Sequence, residues 1–299
     1  MYLEIIPFLI TVGIIVILAA VVVLYFARFR RSSRHPLAEA DADALYHAVR
    51  LLERPSFAAR LANMVGKPLE LFGRSLPAEA SQTIATATTK SLEAGFKLAL
   101  LTLGNQPQQG SQLLHRALAV ASGATGGALG VASLPLELPI STIIMLRSIL
   151  DIARSEGENL NDPETVLSCV AVLGLGARPE ADDEEDGGYF EQRENLDGTV
   201  TEAALYIAER GVIEEASPVL ARLIAQVAAP FGLVVSEKAA AQTIPVIGAL
   251  GGAAVNYAFV GHFQSVARGH FTVRRLERKY GEAAVFAAYE RARQELDWD

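Results

Sequence analysis

Residues 161–176 read Asn-Asp-Pro-Glu-Thr-Val-Leu-Ser-Cys-Val-Ala-Val-Leu-Gly-Leu-Gly, and this stretch carries the start and stop signals of a helix. Asp162 stands where an N-cap side chain accepts an orphan backbone N–H, and Pro163 takes the first helical position, where its missing N–H costs little. Glu164 adds a negative charge to the positive end of the helix dipole. The spacing predicts a helix from Pro163 that stops at Gly174 or Gly176. Cys169 lies in its apolar run and is the only cysteine of the chain, so no internal disulfide forms. It reads as a small buried side chain of a reducing compartment rather than a catalytic thiol.

The same grammar extends in both directions. Pro36 precedes a segment running to about Arg54, Pro55-Ser56 one running to about Arg74, and Pro77 a long one ending near Leu103. Pro135 or Pro139 opens a helix covering Ile140 to about Glu156, and Ser217-Pro218 repeats the opening device. Apolar residues recur at helical spacing in nearly every window, and alternating strand-like runs are scarce, so the fold class is all-α. Residues 178–198 change composition abruptly, with nine acidic residues crowding around Gly187-Gly188. They read as a solvated acidic loop, because Asp182 to Asp186 lacks the alternating spacing and distal glutamate of a calcium loop. No tandem repeat is visible, which argues against a solenoid.

The chain has 299 residues, 51% apolar and 20% charged, which excludes disorder, and one cysteine excludes a disulfide scaffold. Ile5 to Ala27 is an uncharged run of 23 residues, about 35 Å as a helix, enough to cross a bilayer. Tyr25 and Phe26 close it beside Arg28, Arg30, Arg31 and Arg34, and this basic flank stays cytoplasmic, leaving the short N-terminus outside. Residues 1–34 are therefore expected to be a single-pass inner-membrane anchor, and 35–299 one cytoplasmic multi-helix domain. The net charge of −8 divides into +3 over residues 1–34 and −11 beyond, and an acidic body without a basic stripe argues against nucleic acid.

Two uncharged, glycine-rich stretches stand out. Ala117 to Leu136 contains Gly123, Gly126, Gly127 and Gly130, and Ala239 to Ala267 contains Gly248, Gly251 and Gly252. Small residues four apart let another backbone approach closely, so the two stretches are expected to pack on each other as core helices. Entry into the bilayer is the alternative, with Gln242, Asn256 and Gln264 then needing partners in lipid. A phosphate loop is discarded, since no strand precedes the glycines and no Lys-Ser or Lys-Thr follows them.

On the helix after Pro139, Arg147, Asp151 and Arg154 share one stripe and Met145, Ile149 and Ile152 the opposite one. Arg147 and Asp151 are four apart and form either an ion pair at the core's edge or, with Glu137, a cleft holding a carboxylate or phosphate group. His262 and His270 lie on one helix face and form either a shared polar site with Asn256 or a pair of partly exposed histidines. No histidine pair has metal-ligand spacing and no nucleophile motif exists, so the sequence offers no catalytic residue, metal ligand or cofactor site.

Several motifs together resemble the EcsC family of bacterial proteins. They are Leu103-Gly104-Asn105, the glycines 123–130 leading to Leu134-Pro135, Leu146-Arg147-Ser148-Ile149 with Ile152-Ala153, and Asp162-Pro163. Further along come Tyr189 with Arg193, Ile244-Pro245-Val246-Ile247-Gly248-Ala249, and Asn256, Phe259, Ala267, Phe271, Arg274, Leu276, Glu277 and Tyr280-Gly281. Glu156 precedes Gly157 where the family pattern has an aromatic. The resemblance implies a helical domain named from a gene beside an ABC transporter, without an established activity or catalytic residues to carry over. The expected function is a non-enzymatic accessory or regulatory factor at the membrane, with the lipid bilayer and a membrane complex such as an ABC transporter as partners. A lipid-binding domain is the alternative, and a hydrolase built on Glu137, Arg147, Asp151, Asn256, His262 and His270 the third reading.

Overall fold

The computed structural model describes residues 37–53, 57, 60–61, 78–101, 103, 134–177, 188–210, 217–242 and 248–296. Among them are eight helices and no strand: α1 (Glu39–Leu52), α2 (Ala78–Leu101), α3 (Leu134–Ser155), α4 (Pro163–Leu175), α5 (Gly188–Arg210), α6 (Pro218–Gln242), α7 (Gly248–Tyr280) and α8 (Glu282–Leu296). The fold is all-α, as the periodicity requires. The expected anchor, the glycines Gly123, Gly126, Gly127 and Gly130, and Asp182 to Asp186 lie outside the described residues.

α4 forms as its caps dictate. The Asp162 carboxylate accepts the Glu164 backbone N–H at 3.2 Å, and Pro163 opens the helix. Every residue from Thr165 to Leu175 is buried. A helix apolar on all sides is stable only when surrounded, and α2, α3, α5, α6 and α7 enclose this one. α7 is the second axis of the core, 33 residues and roughly 50 Å long, packed on α1, α3, α4, α6 and α8.

Cross-links between helices give their directions. Glu137 of α3 and Asn256 of α7 both bond Lys238 of α6, and Glu156, just past α3, meets Arg275 of α7 at 2.7 Å. Nineteen residues separate the two levels in each segment, so α3 and α7 run side by side in the same direction over about 28 Å. α4 runs against them: Ser168 accepts from Arg274 at 3.3 Å, and the Gly176 carbonyl accepts from His262 at 2.6 Å.

Four expectations are corrected. The stretch Ala239–Ala267 is not one helix but is shared between the end of α6 and the start of α7, with Gly248 opening α7 and Gly252 buried within it; its expected packing on Ala117–Leu136 involves residues outside those described. The acidic loop does not extend to 198, because α5 begins at Gly188. Tyr189, Leu196, Val200, Ala203 and Ile207 form its buried stripe, which leaves Glu191, Glu194 and Asp197 on the outer side. The helix after Pro135 starts at Leu134 and carries Pro139 within it. The charged C-terminal segment, whose composition from Arg274 to Asp299 reads as one amphipathic helix, is instead divided between α7 and α8 at Gly281, whose φ of 85° is a conformation that glycine adopts without steric cost.

α7 and α1 meet at Gly269, where a Cβ would stand 2.6 Å from Leu52 Cγ and 3.1 Å from the Ala48 carbonyl oxygen. A backbone oxygen cannot move aside as a side chain does. Gly269→Ala is expected to destabilise by about 1–3 kcal/mol through overpacking. Gly232→Ala, whose nearest neighbour is Thr88 Cγ2 at 3.9 Å, is expected to be neutral or stabilising by up to about 1 kcal/mol. Thermal unfolding followed by circular dichroism separates the two.

Candidate functional site

Lys238 sits on the buried face of α6, in line with Val227, Phe231, Val234 and Val235. Its side chain has no exposed surface, and an uncompensated ammonium there would be untenable. Three groups compensate it. Nζ donates to Glu137 Oε1 at 2.7 Å and to Asn256 Oδ1 at 2.8 Å, and it stands 4.7 Å from the centroid of the Phe259 ring. The first two satisfy N–H groups and the ring face supplies a cation–π contact. The other Glu137 oxygen accepts from Gln242 at 3.4 Å. Burial pushes the lysine pKa down, and the Glu137 carboxylate opposes that shift. Phe231, Phe259 and Phe263 close over the group with ring centroids 5.3–6.0 Å apart.

Of the six candidate residues, only Glu137 and Asn256 come together, and they do so through Lys238, which the sequence reading passed over. A signal existed: Lys238 follows Val227, Phe231 and Val234 at helical spacing, which places it on the apolar stripe. The Arg147–Asp151 pair is absent from the α3 surface; Arg147 is exposed, and Asp151 faces Arg154 at 3.7 Å. Both histidines are buried rather than partly exposed, and they share no site. His262 donates from Nε2 to the Gly176 carbonyl and receives Arg60 at Nδ1, 3.4 Å away. His270 Nδ1 lies 2.8 Å from the Tyr189 hydroxyl, and its Nε2 is buried without a partner. The Cys169 thiol is fully buried and its pKa is raised by that burial, as expected of a structural cysteine.

The other end of α7 is crowded with charge. Asp41 accepts from Lys279 at 2.6 Å, Tyr280 at 2.7 Å and Arg275 at 3.2 Å, and the first two hold its carboxyl down at about 2. Glu158 takes both Arg274, at 3.1 Å, and Arg278. Arg193 forks onto Glu277 at 2.8 and 2.9 Å. A cleft of about 290 Å³ opens among these groups, with Arg193, Arg274 and Arg278 facing Glu164, Asp197, Glu277 and Glu282. Four carboxylates against three guanidiniums leave it without the positive excess an anion site needs. Among the described residues no group of three or more histidine, cysteine or carboxylate side chains could hold a metal ion.

Fold and site together define an all-helical protein whose interior polar residues hold one another. The chain belongs to the EcsC protein family, which matches residues 43–276. No curated protein and no solved structure matches it. Tyr189, Arg193, Asn256, Arg274 and Glu277, which carry the resemblance in sequence, are all members of these internal pairs.

The buried histidines give the fold a pH dependence. Burial lowers the His262 pKa to about 4, against the pull of the Gly176 carbonyl and with a further push from Arg60. His270 is pushed well below its ordinary range by burial and by Arg193 and Arg274. Both are neutral in the folded protein, while the unfolded chain takes up protons below about 6.5. Stability is therefore complete above about pH 6.5 and falls as pH drops toward about 4. Urea unfolding between these limits is expected to show that slope, and His262→Gln to remove part of it, His270 keeping the rest.

Proposed function

We propose that this EcsC-family protein is a membrane-associated accessory or regulatory factor of the bacterial inner membrane that works by binding rather than by catalysis. Ile5–Ala27 anchors it, and the helical domain stands in the cytoplasm behind the basic flank Arg28–Arg34. Its partner is a membrane protein complex, with an ABC transporter the class that the family's gene context suggests.

One observation carries this reading: the polar groups that chemistry would require are engaged inside the fold. Glu137 neutralises Lys238 and Asn256 accepts a second of its N–H groups, His262 is spent on Gly176, and His270 Nδ1 on Tyr189. Catalysis needs such groups aimed at a substrate within hydrogen-bond reach. Among the described residues α6 is the one helix long and apolar enough to cross a membrane, with a third of its apolar window buried. It packs against α2, α4, α5 and α7, with Lys238 paired inward.

The full chain, purified under mild detergent from cross-linked bacterial membranes, is expected to bring down the same membrane protein reproducibly and in fixed ratio. A chain that is extracted with the soluble fraction, or that purifies alone under every detergent and salt condition, contradicts the proposal.

A further inference from the structure

The outward face of α3 changes character along its length. Pro135, Leu136 and Ile140 are exposed and Ile143 and Ile144 half-exposed, and charge begins only with Arg147, followed by Asp151 and Arg154. Leu136 is 78% exposed and Ile140 52%, values that a core-facing residue never shows. Because α3 and α7 run in register through Glu137 and Asn256, the first turns of α7 stand at the same end. There Ala254 is exposed and Tyr257 is 44% exposed, and no charged residue follows on α7 before Arg268. The ion pair of α3 at this level, Glu137 with Lys238, is turned inward and sealed. About 28 Å away, the opposite end carries Asp41, Glu156, Glu158 and the basic C-terminal turns of α7.

We infer that the end of the domain formed by the first turns of α3 and α7 dips into a lipid bilayer, with Leu136 and Ile140 in the acyl region. This inference rests on the membrane-bound reading above. The outer faces of α3 and α7, apolar at one end and charged toward the other, form a partition along one axis that matches a planar interface. Pro135 to Ile140 spans about 8 Å, the depth to which interfacial elements bury their apolar faces. Arg147 follows about 10 Å further along the helix, within reach of lipid phosphates for a side chain that extends from an apolar stem. Tyr257 supplies the amphipathic aromatic that favours the headgroup level. In sequence, the chain before α3 is also uncharged back to Ala117.

Chain length permits the anchor and this end to share one bilayer. Ala38 bonds Tyr280 at the ionic end, about 21 Å along α7 from the level of Arg147, where the lipid phosphates would stand. The ten residues Arg28 to Leu37 reach about 34 Å when extended.

The test uses the full chain with one added cysteine, Leu136→Cys, Ile140→Cys or, as control on the same helix, Ser155→Cys; the buried Cys169 stays unlabelled. Each is labelled with an environment-sensitive fluorophore and reconstituted into phosphatidylethanolamine–phosphatidylglycerol vesicles carrying acyl-chain quenchers. Quenching at 136 and 140 is expected to exceed that at 155 by about threefold or more. Equal quenching at the three positions in a chain that floats with the vesicles overturns this inference alone, and a chain that does not float overturns the membrane-bound reading with it. Labels at 136 and 140 already shielded before vesicles are added show that protein covers this end, which also overturns the inference.

Discussion

A full positive charge lies in the interior of this protein, and the arrangement around it depends on its being matched. Removing an ammonium from water costs several kcal/mol, recovered only when a counter-charge and hydrogen bonds are in place. Lys238 obtains these from three helices: its own α6, α3 through Glu137 and α7 through Asn256 and the Phe259 ring. The pair thus fixes the relative height of α3, α6 and α7 at one end of the domain. A purely apolar contact would hold them together without specifying register, since Leu and Val tolerate sliding that a 2.7 Å ion pair does not. This is the use for which buried ionic groups are best attested.

The far end of the same helices solves the problem differently. There the pairs are many, partly exposed and shared, with Asp41 and Glu158 each taking more than one cation. Such surface pairs stabilise little one by one, but as a network they tie the loop after α3 and the start of α1 to the last turns of α7. One sealed pair and one open network therefore bracket α7. Between them lie the apolar contacts of α4, a helix with no polar face to offer solvent. The domain's two ends consequently differ in character, one holding a sealed pair and the other an open network.

Much of this was legible in the sequence, for local reasons. The cap at Asp162-Pro163, the Ser217-Pro218 start and the buried stripe Met145, Ile149 and Ile152 follow from rules that act within a few residues. The polar positions were harder, because a side chain's partner is a tertiary fact. Glu137 and Lys238 are 101 residues apart, and nothing local to either names the other. Arg193 and Glu277, carried only by the family resemblance, belong to the same category. The acidic segment misled because its composition outweighed its periodicity: Tyr189, Leu196, Val200 and Ala203 already marked a buried helical stripe beneath the charges. The histidines were placed on one face of one helix, as observed, but α4 and α5 cover that face with a carbonyl and a phenol that the α7 sequence does not reveal.

The most direct measurement is a double-mutant cycle on the sealed pair, with Lys238→Met, Glu137→Leu and the double variant compared by denaturant unfolding of the full chain. If the pair is the structural lock described, each single substitution costs about 3–5 kcal/mol by stranding the other charge, and the double variant costs far less than their sum. Additive losses, or a Lys238→Met protein as stable as the native one, would contradict that account.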